Sequence, residues 1–461
     1  MQQVKGIKPS ILYYVAKAAW EGNLTERKDE IFQLLENEFK DKVSRRYVAN
    51  QIRIAMGLNP HDSDQILDSD DEEALMGIAS EPVIVTNTAA CDLCPNSSHE
   101  CGNDCAAGAI GRDAKGKIII DYDKCLGEGA CITMCSLGAF AEKSQFVPLI
   151  NILRQRTFPV YASVAPAFVG QFGPEVTAGK LRSALIALGF TDMTETALFA
   201  DLITMKEAFE FDEKVINAED FLLTSCCCPV WIKLIENKYP ELVKHISPAV
   251  SPMIASGRVL KAFYPTAKVV FIGPCIAKKS EALLPDLNDA IDFVLTFQEL
   301  AAIIEAAGIN LAEAKDDENA TASWAGRVYA HTGGVSSAVE ETLARLIPYR
   351  TQKFNPVKAD GIPDCQKLLN QINSGEVTAN FIEGMACKGG CVGGPGRLIP
   401  AEDGKTHVEN YGNQSEIRTP VENPQIYAIL TRLGNDEKLP KLTGASPMSN
   451  LLARELRNMN Q

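Results

Sequence analysis

The chain has 461 residues, 46% apolar and 23% charged; this is globular composition, which excludes a disordered or fibrous protein and at this length implies two or three domains. Forty-five Lys and Arg against fifty-nine Asp and Glu leave a formal charge of −14, which repels a phosphate backbone and argues against nucleic-acid binding. Fourteen cysteines are too many for a bland enzyme, yet disulfide frameworks belong mainly to short secreted chains with weak cores.

Residues 1–60 hold no Cys and read as a helical segment, with start signals at Ser10, Thr25 and Ser44 and a stop at Gly57-Leu58-Asn59-Pro60. Lys17 interrupts the first apolar stretch and no small-residue cleavage site follows, so no signal peptide is expected. No apolar run approaches the ~20 residues of a membrane helix. A cytoplasmic chain with reduced or metal-bound thiols and no membrane partner is expected. Between Asp62 and Glu73 seven of twelve residues are acidic, the composition of a solvated linker over 61–80.

Residues 81–150 are dense in Gly and Cys, and they repeat. Cys101-x3-Cys105-x2-Gly108-Ala109-Ile110 returns thirty residues later as Cys131-x3-Cys135-x2-Gly138-Ala139-Phe140, which predicts a unit of two similar halves. Over 151–461 short β-rich runs alternate with longer helical ones, the pattern of an α/β domain. Candidate strands are Pro159–Val164, Lys268–Ile272, Asp292–Leu295, Arg327–Ala330 and Thr378–Ile382. Four of the five lead into loops bearing Gly, Pro or Cys, namely Ala165-Pro166-Ala167, Gly273-Pro274-Cys275, Thr332-Gly333-Gly334 and Glu383 to Cys387. Ligand sites of open α/β sheets lie beyond the carboxyl ends of the strands, so these loops should converge.

The runs Cys91-x2-Cys94-x6-Cys101-x3-Cys105 and Cys125-x5-Cys131-x3-Cys135 resemble the two-cluster bacterial ferredoxins, in which the last Cys of each run ligates the other run's cluster. The first run carries four extra residues within Asn96 to Glu100, neither has the trailing Pro, and Glu128 stands where the second run's second Cys belongs. The resemblance implies one 4Fe-4S cubane on Cys91, Cys94, Cys101 and Cys135, and another on Cys125, Cys131 and Cys105. The remaining position of the latter falls to Glu128, to a water or His99, or to no ligand in a three-iron cluster. A zinc ribbon on CxxC pairs is the alternative.

Three segments carry a second group: Thr224-Ser-Cys-Cys-Cys-Pro-Val-Trp231, Gly273-Pro-Cys-Ile-Ala-Lys-Lys-Ser-Glu281, and Glu383-Gly-Met-Ala-Cys-Lys-Gly-Gly-Cys-Val-Gly-Gly394. Six clustered Cys, with Lys278 and Lys279, on tight loops indicate a soft-metal site near positive charge. These segments resemble the FeFe-hydrogenase signatures TSCCPxW, PCxxKKxE and ExMACxGGCxxGG, from about Pro159 to the C-terminus. The resemblance implies an α/β catalytic domain of two lobes around a metal cluster, preceded by a small α+β ferredoxin-like domain and the helical segment. The cluster, called the H-cluster, joins a cubane to a diiron unit bearing CO, cyanide and a dithiolate.

By that resemblance Cys275, Cys387 and one Cys of the first segment bind the cubane, and Cys391 binds it and bridges to the diiron unit. Aligned on Pro229 and Trp231, Cys228 is the ligand and Cys227 the thiol beside the open iron; aligned on Thr224, these roles shift to Cys227 and Cys226. The former is preferred, leaving Cys226 a spare thiol. A proton route is implied through Cys227, Glu207, Ser247 and Glu210. Lys278 would pair an iron-bound cyanide, Met385 would wall the diiron unit, and Lys279 is expected at a solvated surface. Cys365 reads as a buried structural thiol, and His61, His245, His331 and His407 as ordinary histidines.

Gly273, Ala167, Lys388 and the triple Cys depart from the best-known members and resemble a divergent subgroup, group B. The expected function is reversible proton reduction to H2 with ferredoxin or a similar small carrier, after maturation proteins insert the diiron unit. A sensor of H2 or redox state, and a non-catalytic iron–sulfur protein, are the alternatives.

Overall fold

Helices Ile7–Glu21, Leu24–Glu38 and Arg45–Ala55 fill the N-terminal segment of a computed structural model. It describes residues 7–39, 43–68, 71–77, 80–94, 101, 105–114, 116–135, 137–224, 226–317, 321–350, 352–434, 442–444 and 446–456. Ser44 caps the third helix, its hydroxyl accepting the Tyr47 N–H. The first helix already begins at Ile7, ahead of Ser10, and the second follows Asn23 rather than Thr25. Ile7, Ile11, Leu12, Val15, Ala16 and Ala19 form the buried stripe of the first helix, which packs against the helices Phe146–Gln155 and Phe297–Ala306. The acidic stretch is not wholly solvated. Asp71 opens a short helix and accepts two N–H bonds from Arg53, at 2.5 and 3.0 Å, because a guanidinium on a buried helix face must be paired.

Four short strands follow: β1 (Ile84–Thr86), β2 (Ile110–Arg112), β3 (Ile118–Ile120) and β4 (Phe140–Glu142). β1 pairs antiparallel with β4 and β2 with β3. The sequence repeat is also a geometric one. Gly108 and Gly138 both take positive φ, near 66° and 69°, a conformation glycine adopts freely. Ala109 and Ala139 then donate their N–H groups to the Cys105 and Cys135 sulfurs at 3.4 and 3.3 Å.

The remaining chain forms β5 (Val160–Val164), β6 (Asp192–Glu195), β7 (Leu222–Leu223), β8 (Lys268–Ile272), β9 (Phe293–Leu295), β10 (Pro356–Asp360) and β11 (Phe381–Met385). They build two parallel sheets, one in the order β6-β5-β8-β9 and one in the order β10-β11-β7. Helices cover the strands, so β5 and β8 read as near-continuous apolar runs. The run Arg327–Ala330, expected as a strand, is instead helical: Ser323 caps Trp324–Arg327, and a 3-10 turn continues through Val328–Ala330. Packing overrides the β-like run there. Gly326 lies so close to the Ala197 carbonyl that a Cβ would sit 2.1 Å from it, and Arg327 is paired with Glu195 at 3.0 Å. The strand expected at Thr378–Ile382 lies three residues later.

A buried charged core joins these parts. Lys279 is not solvated but fully buried; it pairs with Glu299 at 2.7 Å and donates to the Lys143 carbonyl at 2.9 Å. Glu299 in turn closes a capping box with Thr296. Lys8 of the first helix reaches Glu142 of β4 at 2.5 Å, and Lys8 and Lys279 together hold that carboxyl below its ordinary range although burial alone would raise it.

Candidate functional site

None of the fourteen cysteines is in a disulfide. Burial, then the charges of Cys135, Cys101 and Cys94, pushes the Cys91 thiol up to about 11, so these four lie within electrostatic reach as one set. Burial, then Cys125 and Cys105, pushes Cys131 up to about 12. Cys105, Cys125, Glu128 and Cys131 line a single cavity, and burial raises the Glu128 carboxyl to about 7. The two sets exchange their last cysteines between the runs. Among the described residues no three His, Cys, Asp or Glu side chains are grouped so as to hold a single metal ion. His99 lies outside the described residues.

The second group forms where strands end. Cys228 precedes the helix Pro229–Lys238, which follows β7; Cys275 lies beyond β8, and Cys387 and Cys391 beyond β11. Each thiol is raised by burial first, and Cys275 and Cys228 raise both Cys387 and Cys391 further. Cys275 is pushed up to about 11 and Cys391 to about 12. Backbone N–H groups of Ala386, Trp231 and Val230 oppose the rise at Cys228, the geometry that favours a thiolate at a helix N-terminus. Half-buried, mutually repelling thiols resist ionisation until a cation joins them, and soft thiolates suit iron. This donor set fits an iron–sulfur cubane.

Close glycine approaches hold these loops together. A Cβ on Gly394 would lie 2.6 Å from the Pro274 carbonyl oxygen, and one on Gly390 2.6 Å from the Thr332 nitrogen. Gly129, at φ 80°, abuts Pro395 and Ile276, where a Cβ would come within 2.9 and 3.0 Å. The Glu128 loop is therefore seated directly on the Cys275 and Cys391 loops, and Glu128 is close enough to Cys387 to raise its proton affinity. Glu383 is wholly buried and accepts from Gly333 N at 2.7 Å and Ser336 Oγ at 2.6 Å. Asp360 accepts from Thr332 Oγ1 at 2.6 Å and Gly389 N at 2.7 Å. Met385 is buried with Cys227 and Tyr329, and the Cys365 thiol lies behind it, 3.6 Å from its carbonyl.

Lys278 is buried and pairs with Glu281 at 2.5 Å, near Cys275 and Cys227. Glu207 and Glu210 lie on the helix Thr196–Lys214, almost every residue of which is buried. Thr224 Oγ1 donates to Glu207 at 2.7 Å and Ser247 Oγ to Glu210 at 2.6 Å. Burial raises Glu207 to about 8, opposed by its hydrogen bonds with Thr224 and Cys226, and its other oxygen has no partner. Cys226, read as a spare thiol, is thus the one that lies beside Glu207, whereas Cys227 lies near Cys391 and Lys278. Thr224, Glu383 and Asp360 were not singled out from sequence. Glu383 had a signal, its place in the third signature; Asp360 had none.

Clustered, half-buried thiols at the carboxyl ends of parallel strands define an iron–sulfur protein on an α/β scaffold. Residues 158–395 match the family model described as iron only hydrogenase large subunit, C-terminal domain. Iron hydrogenase 1 of Clostridium pasteurianum is 31% identical over 429 residues, covering 80% of this chain and 74% of its own length. The periplasmic Fe hydrogenase large subunit of Nitratidesulfovibrio vulgaris is 32% identical, covering 49% of this chain and 63% of its own. Cytosolic iron-sulfur assembly component 3 of Pongo abelii is 25% identical over 59% of this chain and 68% of its own. An apo FeFe-hydrogenase structure from Chlamydomonas reinhardtii covers 66% of this chain and 97% of its own with a TM-score of 0.54, a likeness of fold at 23% identity. The chain belongs to the iron-only hydrogenase family. No described helix is long and apolar enough to cross a membrane.

Proposed function

We propose that this protein is a group B FeFe-hydrogenase that reversibly reduces protons to H2, with electrons exchanged through two ferredoxin-type clusters. The observation that carries the reading is the meeting of the half-buried Cys228, Cys275, Cys387 and Cys391 in one group, with Cys227 and Lys278 beside it. The H-cluster, held by those four thiolates, would supply an open iron at which two protons and two electrons combine.

The chain's own residues do the rest. Lys278, a buried ammonium, orients an anionic ligand by a charge-assisted hydrogen bond. Met385 walls the site with polarizable apolar surface. Protons move between Cys227 and solvent through Cys226, Glu207, Ser247 and Glu210; a carboxyl near 8, as at Glu207, can both take and give a proton near neutral pH. Cys91, Cys94, Cys101 and Cys135 would hold one cluster and Cys105, Cys125, Cys131 and Glu128 another, and these groups would supply one-electron chemistry between the catalytic site and a carrier such as ferredoxin in the cytoplasm. Maturation proteins insert the diiron unit. Retention of Lys278, Cys391, Glu207 and Glu210 favours catalysis over sensing or a non-catalytic role like that of an assembly component. The test is an infrared spectrum of matured protein: iron-bound CO and cyanide stretches are expected, and their absence after proper maturation refutes the reading.

A further inference from the structure

On the hydrogenase reading above, the outer carboxylate of the proton route should stand near solvent. It does not. Glu210 is 3% exposed, and Lys206, one turn earlier on the same helix, is 2% exposed. The Lys206 ammonium lies 3.0 Å from Glu210 Oε1 and donates to the Leu442 carbonyl at 3.0 Å and to Ser449 Oγ at 3.5 Å. Ser247 Oγ donates to the other carboxylate oxygen, Oε2, and accepts the Ala249 N–H at 3.2 Å. Both oxygens of Glu210 are therefore fixed, one by a cation and one by the relay hydroxyl.

The chain end covers this pair. Val250 N–H bonds Leu452 O and Arg454 N–H bonds Pro248 O, each at 2.9 Å, stitching the C-terminal segment to the stretch that follows Ser247. A lysine on a helix normally extends its head to water. This one points inward, where an ammonium is retained only with partners.

We infer that Lys206 is a positioning residue of the proton route: it supplies the counter-charge that keeps Glu210 ready to accept from Ser247 and ties that carboxylate to the C-terminal segment lying over it. The charged and titratable groups facing Glu210 are Lys206 and Glu207 on its own helix and Cys226 from the loop after β7. The C-terminal segment brings to Lys206 the Leu442 carbonyl and the Ser449 hydroxyl, and the stretch before the helix Pro252–Phe263 brings Ser247.

The test uses the full chain with Lys206→Met, Lys206→Arg and Glu210→Gln, each first checked for a wild-type melting transition; Lys206→Gln replaces any Met variant that fails this check. In the cofactor-free protein, Lys206→Met should gain at neutral pH a protonated-carboxyl infrared band beyond those that wild type already shows from groups such as Glu207. The band should vanish in Lys206→Met with Glu210→Gln, and Lys206→Arg should resemble wild type. In matured protein, the acid limb of the Lys206→Met pH profile should move up by about one to three pH units, the effect of removing an opposite charge at this range. Slowed turnover in Glu210→Gln together with an unmoved profile and no new band in Lys206→Met overturns the inference alone. Wild-type turnover in Glu210→Gln overturns the proton route itself, and with it the role of Lys206.

Discussion

Replacing Lys279 by Met removes a cation from the molecule's interior at almost constant volume. Glu299, 1% exposed, then keeps its Thr296 contacts at 2.6 and 3.0 Å but loses its counter-charge, and the Lys143 carbonyl loses a donor. Breaking a buried pair by removing one partner costs about 3–5 kcal/mol; the surviving capping box favours the lower end, and the orphaned carbonyl adds about 1 kcal/mol. A loss of about 4 kcal/mol is expected, against a total of about 5–15 kcal/mol for an ordinary domain. Glu299→Leu alone should also destabilise, but the double variant should lose less than the sum by about 1–3 kcal/mol, because each single change strands the other charge. Urea unfolding of the cofactor-free chain at pH 7, followed by fluorescence of its three Trp residues, reads these differences. A loss under about 1 kcal/mol for Lys279→Met, or strict additivity, would refute the buried-pair argument.

Two further outcomes follow from carboxylates. Because burial lifts Glu207 from 4.5 to about 8, the folded chain keeps a proton that the unfolded chain has already released across that window. Its contribution to stability therefore falls as pH rises from about 4.5 to 8, and urea midpoints measured against pH should decline less steeply in Glu207→Gln; an identical slope contradicts this. At position 128, a thiolate is a softer and tighter iron ligand than a carboxylate, so Glu128→Cys should retain iron more firmly under chelation and change the EPR spectrum. An unchanged spectrum would mean that Glu128 is not a ligand.

The α/β character, the strand Lys268–Ile272 and the cysteine repeat were legible because apolar runs, glycine placement and thiol spacing are local signals. The helical turn at Arg327–Ala330 was not, because it is imposed by contacts with Ala197 and Glu195 more than a hundred residues away. Lys279 and Lys206 look like surface residues in sequence for the same reason. Their partners, Glu299 and the Leu442 carbonyl, come from other elements, and charge type says nothing about which face of a helix is covered. The ambiguity of the triple Cys was real: the alternative alignment differs by one residue, and only the fold separates the thiol that lies near Glu207 from the one beside Cys391.

The seat of Gly129 against Pro395 and Ile276 has a kinetic meaning. Gly129 puts no side chain of its own between its backbone and the Pro395 and Ile276 side chains, so on the proposed function the gap from the Glu128 cavity to the Cys387 side would be set by direct loop-to-loop packing. On that reading, transfer across a gap held by such packing would need no conformational gate, and any solvent-viscosity dependence of turnover would come from the arrival of the carrier or from the proton path.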